Sequence, residues 1–200
     1  MKEQLNNNYN LILQKEQKFS KSVAFESLEK PQITVWIIIA PLYLIYYMHR
    51  ARKYKQGIET FAENFLMSKK WALEGAYEMI DTGVSLQAMM KKYEEQGHRF
   101  GNTEELCRLQ AREINLLLKH YHGMLNAQGE TYADLLRNAY GTRQRYEDFI
   151  KELQEAEKAI SQTAINSMED IDTESAFNIA SAMHEATHRL RFKEAGEIFG

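Results

Sequence analysis

The chain has 200 residues, with 25 Lys or Arg against 28 Asp or Glu and a net charge of −3. That length suits one domain with appendages and a real core, and the near-even charge gives no general case for nucleic-acid binding. Ten glycines, two prolines and a single cysteine leave little material for turns, strands or an internal disulfide, so the balance favours long helices.

Residues 1–30 read as a polar tail. The stretch "NNNYN" looks disordered, but Leu5, Tyr9, Ile12, Phe19 and Val23 recur at near-helical spacing, compatible with a short amphipathic helix at a membrane interface.

Residues 31–49 read as a transmembrane anchor. No side chain from Pro31 to Met48 is charged, and such a run, if helical, spans about 27 Å, enough for a thin bilayer core. Trp36 lies near one end and Tyr46 and Tyr47 near the other, where amphipathic rings favour the headgroup level. Arg50, Arg52, Lys53 and Lys55 follow at once and suit anionic headgroups. A buried core helix also gives a continuous apolar run, but it does not need these flanks. Pro41 predicts a kink, which membrane spans tolerate. The run starts too late for a secretory signal and lacks a small-residue cleavage site. Basic residues crowd its C-terminal edge, so a single-pass protein is expected, with residues 50–200 on the cytoplasmic side.

Residues 50–200 read as a helical domain that should fold without residues 1–49. Ile58, Phe61, Phe65, Ala72, Ala76 and Ile80 mark one face of a first long helix, which "DTGVS" ends through Gly83 and Ser85. A short helix carries Leu86, Met89, Met90 and Tyr93. After "QGHRFGN", capped by Asn102 or Thr103, another carries Leu106, Leu109, Ile114, Leu117, Tyr121 and Leu125. The pattern predicts the longest helix over 131–168. Its seam of Leu135, Ala139, Tyr146, Phe149, Leu153, Ala156 and Ile160 resembles a coiled coil and is long enough to call for a homodimer. A last helix spans about 173–195, with Ala176, Ile179, Met183, Ala186 and Leu190 as its buried stripe. No segment alternates with period two for long enough to argue a strand. The expected fold is all-α, a transmembrane helix followed by an elongated antiparallel bundle or coiled-coil-like hairpin.

"HEATH" at 184–188 matches the H-E-x-x-H zinc signature, in which His184 and His188 bind the metal and Glu185 deprotonates its water. No third histidine follows, and the two histidines fall away from the apolar stripe, which predicts solvated side chains on an exposed face. Glu185 with His188, and Glu95 with His98, also form carboxylate–histidine units of the kind that build di-metal bundles, for which Glu63 and Glu155 would complete a set. Gly97 interrupts the Glu95–His98 unit close to an expected helix end, and the Glu185–His188 unit points away from its apolar stripe. Cys107 reads as a small buried hydrophobe. The expected function is therefore non-enzymatic and without a cofactor: a membrane-anchored scaffold or adaptor whose partners are the bilayer and other protein chains, a second copy included. A membrane-anchored zinc hydrolase is the alternative.

Overall fold

The computed structural model describes residues 2–28, 41–97, 103–167 and 173–200, the side chains of 41–52 and 96–97 excepted. Among these residues there are seven helices and no strand: α1 (Lys2–Ser27), α2 (Pro41–Thr82), α3 (Leu86–Gly97), α4 (Glu104–Asn126), α5 (Tyr132–Tyr140), α6 (Arg143–Asn166) and α7 (Thr173–Phe199). Five long helices close a ring: α1 packs on α2, α2 on α4, α4 on α6, α6 on α7, and α7 back on α1. The short α3 covers α4, and α5 wedges between α1, α4, α6 and α7. Ile12, Leu73, Ala76, Ile114, Leu118, Tyr121, Leu135 and Tyr146 fill the single main core.

Local signals place most helix ends. Gly83 ends α2 at φ 76°, a left-handed conformation that glycine adopts at no steric cost. The Thr103 side chain accepts the Leu106 N–H to open α4. Thr131 and Asp134 form a reciprocal capping box at the start of α5. The expected single helix over 131–168 is two helices. Gly141, at φ 71°, closes α5, and Thr142 caps α6 by accepting from Arg145 N–H. The chain turns there, so the Leu135–Ile160 seam is divided, and α4 and α7 of the same chain cover its α6 part.

α1 is not a tail. It runs antiparallel to α2 in a register set by the Lys2–Asp81 ion pair at 2.9 Å, the Tyr77 hydroxyl donating to Asn6 Oδ1 at 2.6 Å, and Phe19 against Phe65 at 6.3 Å between centroids. Leu28, just past its end, lies beside Gly57, where an added Cβ would sit 3.8 Å from its Cδ1. Ile12, Val23 and Ala24 are fully buried. Residues 50–200 alone would therefore lack one wall of the ring.

The single transmembrane helix expected over 31–49 is not present among the described residues, where no helix is long and apolar enough to cross a membrane. Trp36 and residues 31–40 lie outside the described residues. Pro41 is the first described residue of α2, so the expected kink there falls at the edge of the described residues. From there α2 continues unbroken for 42 residues into the core. A single pass would also set residues 1–30 across a bilayer from residues 50–200, whereas α1 is packed inside their core.

Asn8, buried on α1, donates from Nδ2 to the carbonyls of Leu125 and Ala127, both at 3.0 Å, and so satisfies the exit of α4. Asn8→Ala should lower unfolding free energy by about 1–3 kcal/mol, because two buried acceptors lose their donor. Urea denaturation checks it; a change below about 0.5 kcal/mol would show that α1 does not hold that turn.

Candidate functional site

From HEATH onward, α7 turns an inward face that is largely polar: His184, Thr187, Arg191 and Glu194 are buried together with Ala186, Ala195 and Ile198. Apart from Ala186, their three-and-four spacing places them on one side of the helix. Ile179, expected in the buried stripe, is 45% exposed, and only Ala186 of that stripe is buried. The stripe is thus rotated from its expected position, because the partners waiting inside the ring are ionic.

Arg191 is the hub. Its Nη2 donates to both Glu16 oxygens at 2.9 and 2.8 Å, its Nη1 reaches Glu194 Oε2 at 3.3 Å, and its guanidinium lies 3.8 Å from the centre of the Phe19 ring. Tyr146 donates to the same Glu194 oxygen at 2.9 Å, and Lys15 Nζ stands 2.7 Å from the other. Burial works against the charge of Arg191, but Glu16, Tyr146 and Glu194 outweigh it and hold its pKa well above the usual value. Burial likewise opposes ionised Glu194, and Arg191, Lys15 and Tyr146 together hold its pKa down. At both Arg191 and Glu194, charge pairing thus outweighs the cost of burial.

Higher in the ring, Lys69 on α2 meets Glu157 on α6 at 2.8 Å, with its ammonium 3.9 Å from the Phe65 ring centre. Ser68 donates to Glu113 of α4 at 2.7 Å. Burial above all pushes the Glu113 carboxyl up, with Lys69 pulling against it and Glu157 adding to the rise. One lysine thus faces two buried carboxyls, and burial favours a proton on Glu113.

HEATH itself divides between two environments. His184 is buried, with one edge toward a groove of about 660 Å³ between α6 and α7, and neither ring nitrogen makes a hydrogen bond. Burial, with Lys158 and Lys69 nearby, keeps its pKa below the ordinary value against the pull of Glu157. This corrects the expectation of two solvated histidines. His188 is exposed and stacks on Phe192 at 4.3 Å, and Glu185 is exposed on the groove. Both imidazoles line that groove, His184 as a buried side chain and His188 as an exposed one. Among the described residues, no three His, Cys, Asp or Glu side chains are placed to hold a metal ion. Of the di-metal set, Glu63, Glu95 and Glu155 are exposed, Glu155 facing Arg112 at 3.7 Å, and His98 lies outside the described residues.

Of the expected interface residues, Tyr46, Tyr47, Arg50 and Arg52 fall in the opening turns of α2, and Lys53 and Lys55 follow on it as exposed side chains. Sequence reasoning missed Glu16, Lys69, Glu113, Glu157, Arg191 and Glu194. A signal existed for several: Glu16 stands in step with Ile12, Phe19 and Val23, and Lys69 with Phe65, Ala72 and Ala76. Comparison with known protein families, curated proteins and solved structures finds no match.

Glu16→Ala should cost about 3–5 kcal/mol of stability by leaving Arg191 buried with half its partners gone, whereas Glu16→Leu with Arg191→Met should recover part of that loss. Chemical denaturation of both variants reads the difference; an equal loss in both would show that the pair is not the cause.

His120 supplies a pH dependence. Its Nδ1 lies 2.7 Å from the Tyr140 hydroxyl and its ring 4.3 Å from Phe149, and burial first, then the charge of Arg191, pushes its pKa down to about 3 from 6.5. Above pH 6.5 the ring is neutral in both folded and unfolded chains and costs nothing. Below it, the unfolded chain takes up a proton that the buried ring refuses, so stability falls as pH drops toward 3. Between pH 6.5 and 5 the loss should be about 1.5 kcal/mol, and His120→Phe should flatten that part of the profile. An identical slope in the variant would assign the loss to other groups.

Proposed function

We propose that this chain is a non-enzymatic helical module attached to a membrane, serving as a scaffold or adaptor in a membrane complex. The observation that carries the reading is the placement of its charge-free run. Residues 31–48 follow α1 and run into the first turns of α2, two helices locked into the same bundle, and are followed on α2 by Arg50, Arg52, Lys53 and Lys55. A membrane offers such a run the apolar surroundings it requires, and anionic headgroups suit the basic turn after it. The positive-inside trend puts the bundle on the cytoplasmic face.

The interior supports a structural role. Arg191, Glu16, Glu194, Lys15 and Tyr146 satisfy one another, as do Lys69 and Glu157. Partner chains would meet the outside. Phe25, Phe177 and Ile179 are 48%, 38% and 45% exposed and offer apolar contacts of the kind that anchor interfaces. A second copy would bind there and not on the α6 seam, which α4 and α7 already cover.

After cell breakage, the full chain should pellet with membranes and leave them only with detergent, while Ile38→Glu with Leu44→Glu should move it to the aqueous fraction. Recovery of the unaltered chain in that fraction without detergent would end the membrane reading.

A further inference from the structure

Resting on that membrane reading, we infer that the protein enters one leaflet only. Residues 41–48 of α2 penetrate from the same side on which α1 and the rest of the bundle remain, with Lys53 and Lys55 at an anionic headgroup layer.

The first argument is connectivity. A chain that crossed a bilayer between residues 31 and 48 would leave α1 on one side and α2–α7 on the other. α1 is instead held from end to end: at Lys2 by Asp81, at Asn8 by the exit of α4, at Glu16 by Arg191, and at Glu26 by Arg189. The helix that leads into the apolar run and the helix that leads out of it lie antiparallel, so both flanks share one face of any membrane.

The second argument is length. The charge-free run covers residues 31–48. A run that enters and leaves by one face has about nine residues for each direction, about 14 Å if helical, against a hydrocarbon core of about 30 Å. That suits a single leaflet. α2 then continues about 24 Å from Pro41 before reaching Gly57, where Leu28 packs.

The third argument is charge. Arg50, Arg52, Lys53 and Lys55 follow Met48 within about 10 Å along the helix axis, the depth of a headgroup layer. Just behind them, Phe25, Ile58 and Leu190 line a shallow apolar groove of about 480 Å³ with Lys21 and Lys55 at its rim. Of the two carboxylates there, Glu26 is engaged by Arg189 and Glu59 opposes the trend. Apolar side chains ringed by lysines match a lipid surface better than bulk water.

Two measurements on the full chain test this. In a Cys107→Ser background, single cysteines at Asn10 of α1 and at Glu130, both exposed, are challenged with a membrane-impermeant maleimide in sealed vesicles from expressing cells. Both positions should react together or be protected together. If one reacts freely and the other only after detergent, the chain crosses the membrane, and the one-leaflet inference fails while membrane attachment stands. In the second arm, purified protein is floated with phosphatidylcholine vesicles with and without phosphatidylserine. Binding should be tighter to the anionic vesicles, and Lys53→Gln with Lys55→Gln should weaken it on the order of 30-fold, with unchanged helicity by circular dichroism. Equal binding of variant and parent would overturn the headgroup contact. A chain that associates with neither membranes nor vesicles would sink both this inference and the reading beneath it.

Discussion

The structure hangs on the guanidinium of Arg191. It is the point where α1, through Glu16 and Phe19, and α7, through Glu194, are joined, and Tyr146 brings in α6 through the same carboxylate. The contact between α7 and α1 closes the ring of five helices. Apolar packing supplies most of the favourable free energy of such a bundle, but it constrains rotation about a helix axis weakly, since Leu and Ile side chains accept many neighbours. A buried arginine accepts few. Only one rotation of α7 presents Arg191 to Glu16, and turning the helix by one residue would strand a charge in the core at a cost of several kcal/mol.

The second layer, Lys69 with Glu157 and Ser68 with Glu113, does for α2, α4 and α6 what Arg191 does for α1, α6 and α7. Neither layer needs to add much net stability, since ion pairs lose most of their attraction to desolvation. Their effect is on register: each helix of the ring carries a buried charged side chain or meets one. The electrical accounts differ. The Arg191 layer matches two carboxylates with two cations. The Lys69 layer has one cation for two carboxyls, and burial pushes the Glu113 carboxyl up.

Much of the architecture was legible in the sequence. The helix class, the short α3, and the breaks at Gly83 and Gly129 follow from apolar periodicity and glycine placement. The break at Gly141 was equally visible as glycine followed by threonine, but the apolar seam on both sides suggested continuity. What the pattern hid was the polar interior. A periodicity argument treats Glu16, Lys69 and Arg191 as surface residues because charges usually are, and it oriented α7 by Ile179 and Met183 for the same reason. The partners of Arg191 come from the other end of the chain, so no local window could pair them. The role of α1 was lost with them: nothing in residues 1–30 alone distinguishes a helix lying on a membrane from one walling a core.

The Glu16–Arg191 contact also joins residues 175 apart in the chain. During synthesis, α1 and the apolar residues after it leave the ribosome long before α7 exists, so the polar groove that will receive Glu16 is not yet built. For most of that interval α1 is an amphipathic helix with its apolar side uncovered, next to a charge-free stretch with the same need. Closure waits for Arg191. Contacts of such long separation form slowly because the intervening loop must be closed first. The order of events thus runs outward to inward: early segments seek apolar surroundings, and the last helix draws α1 back into the bundle.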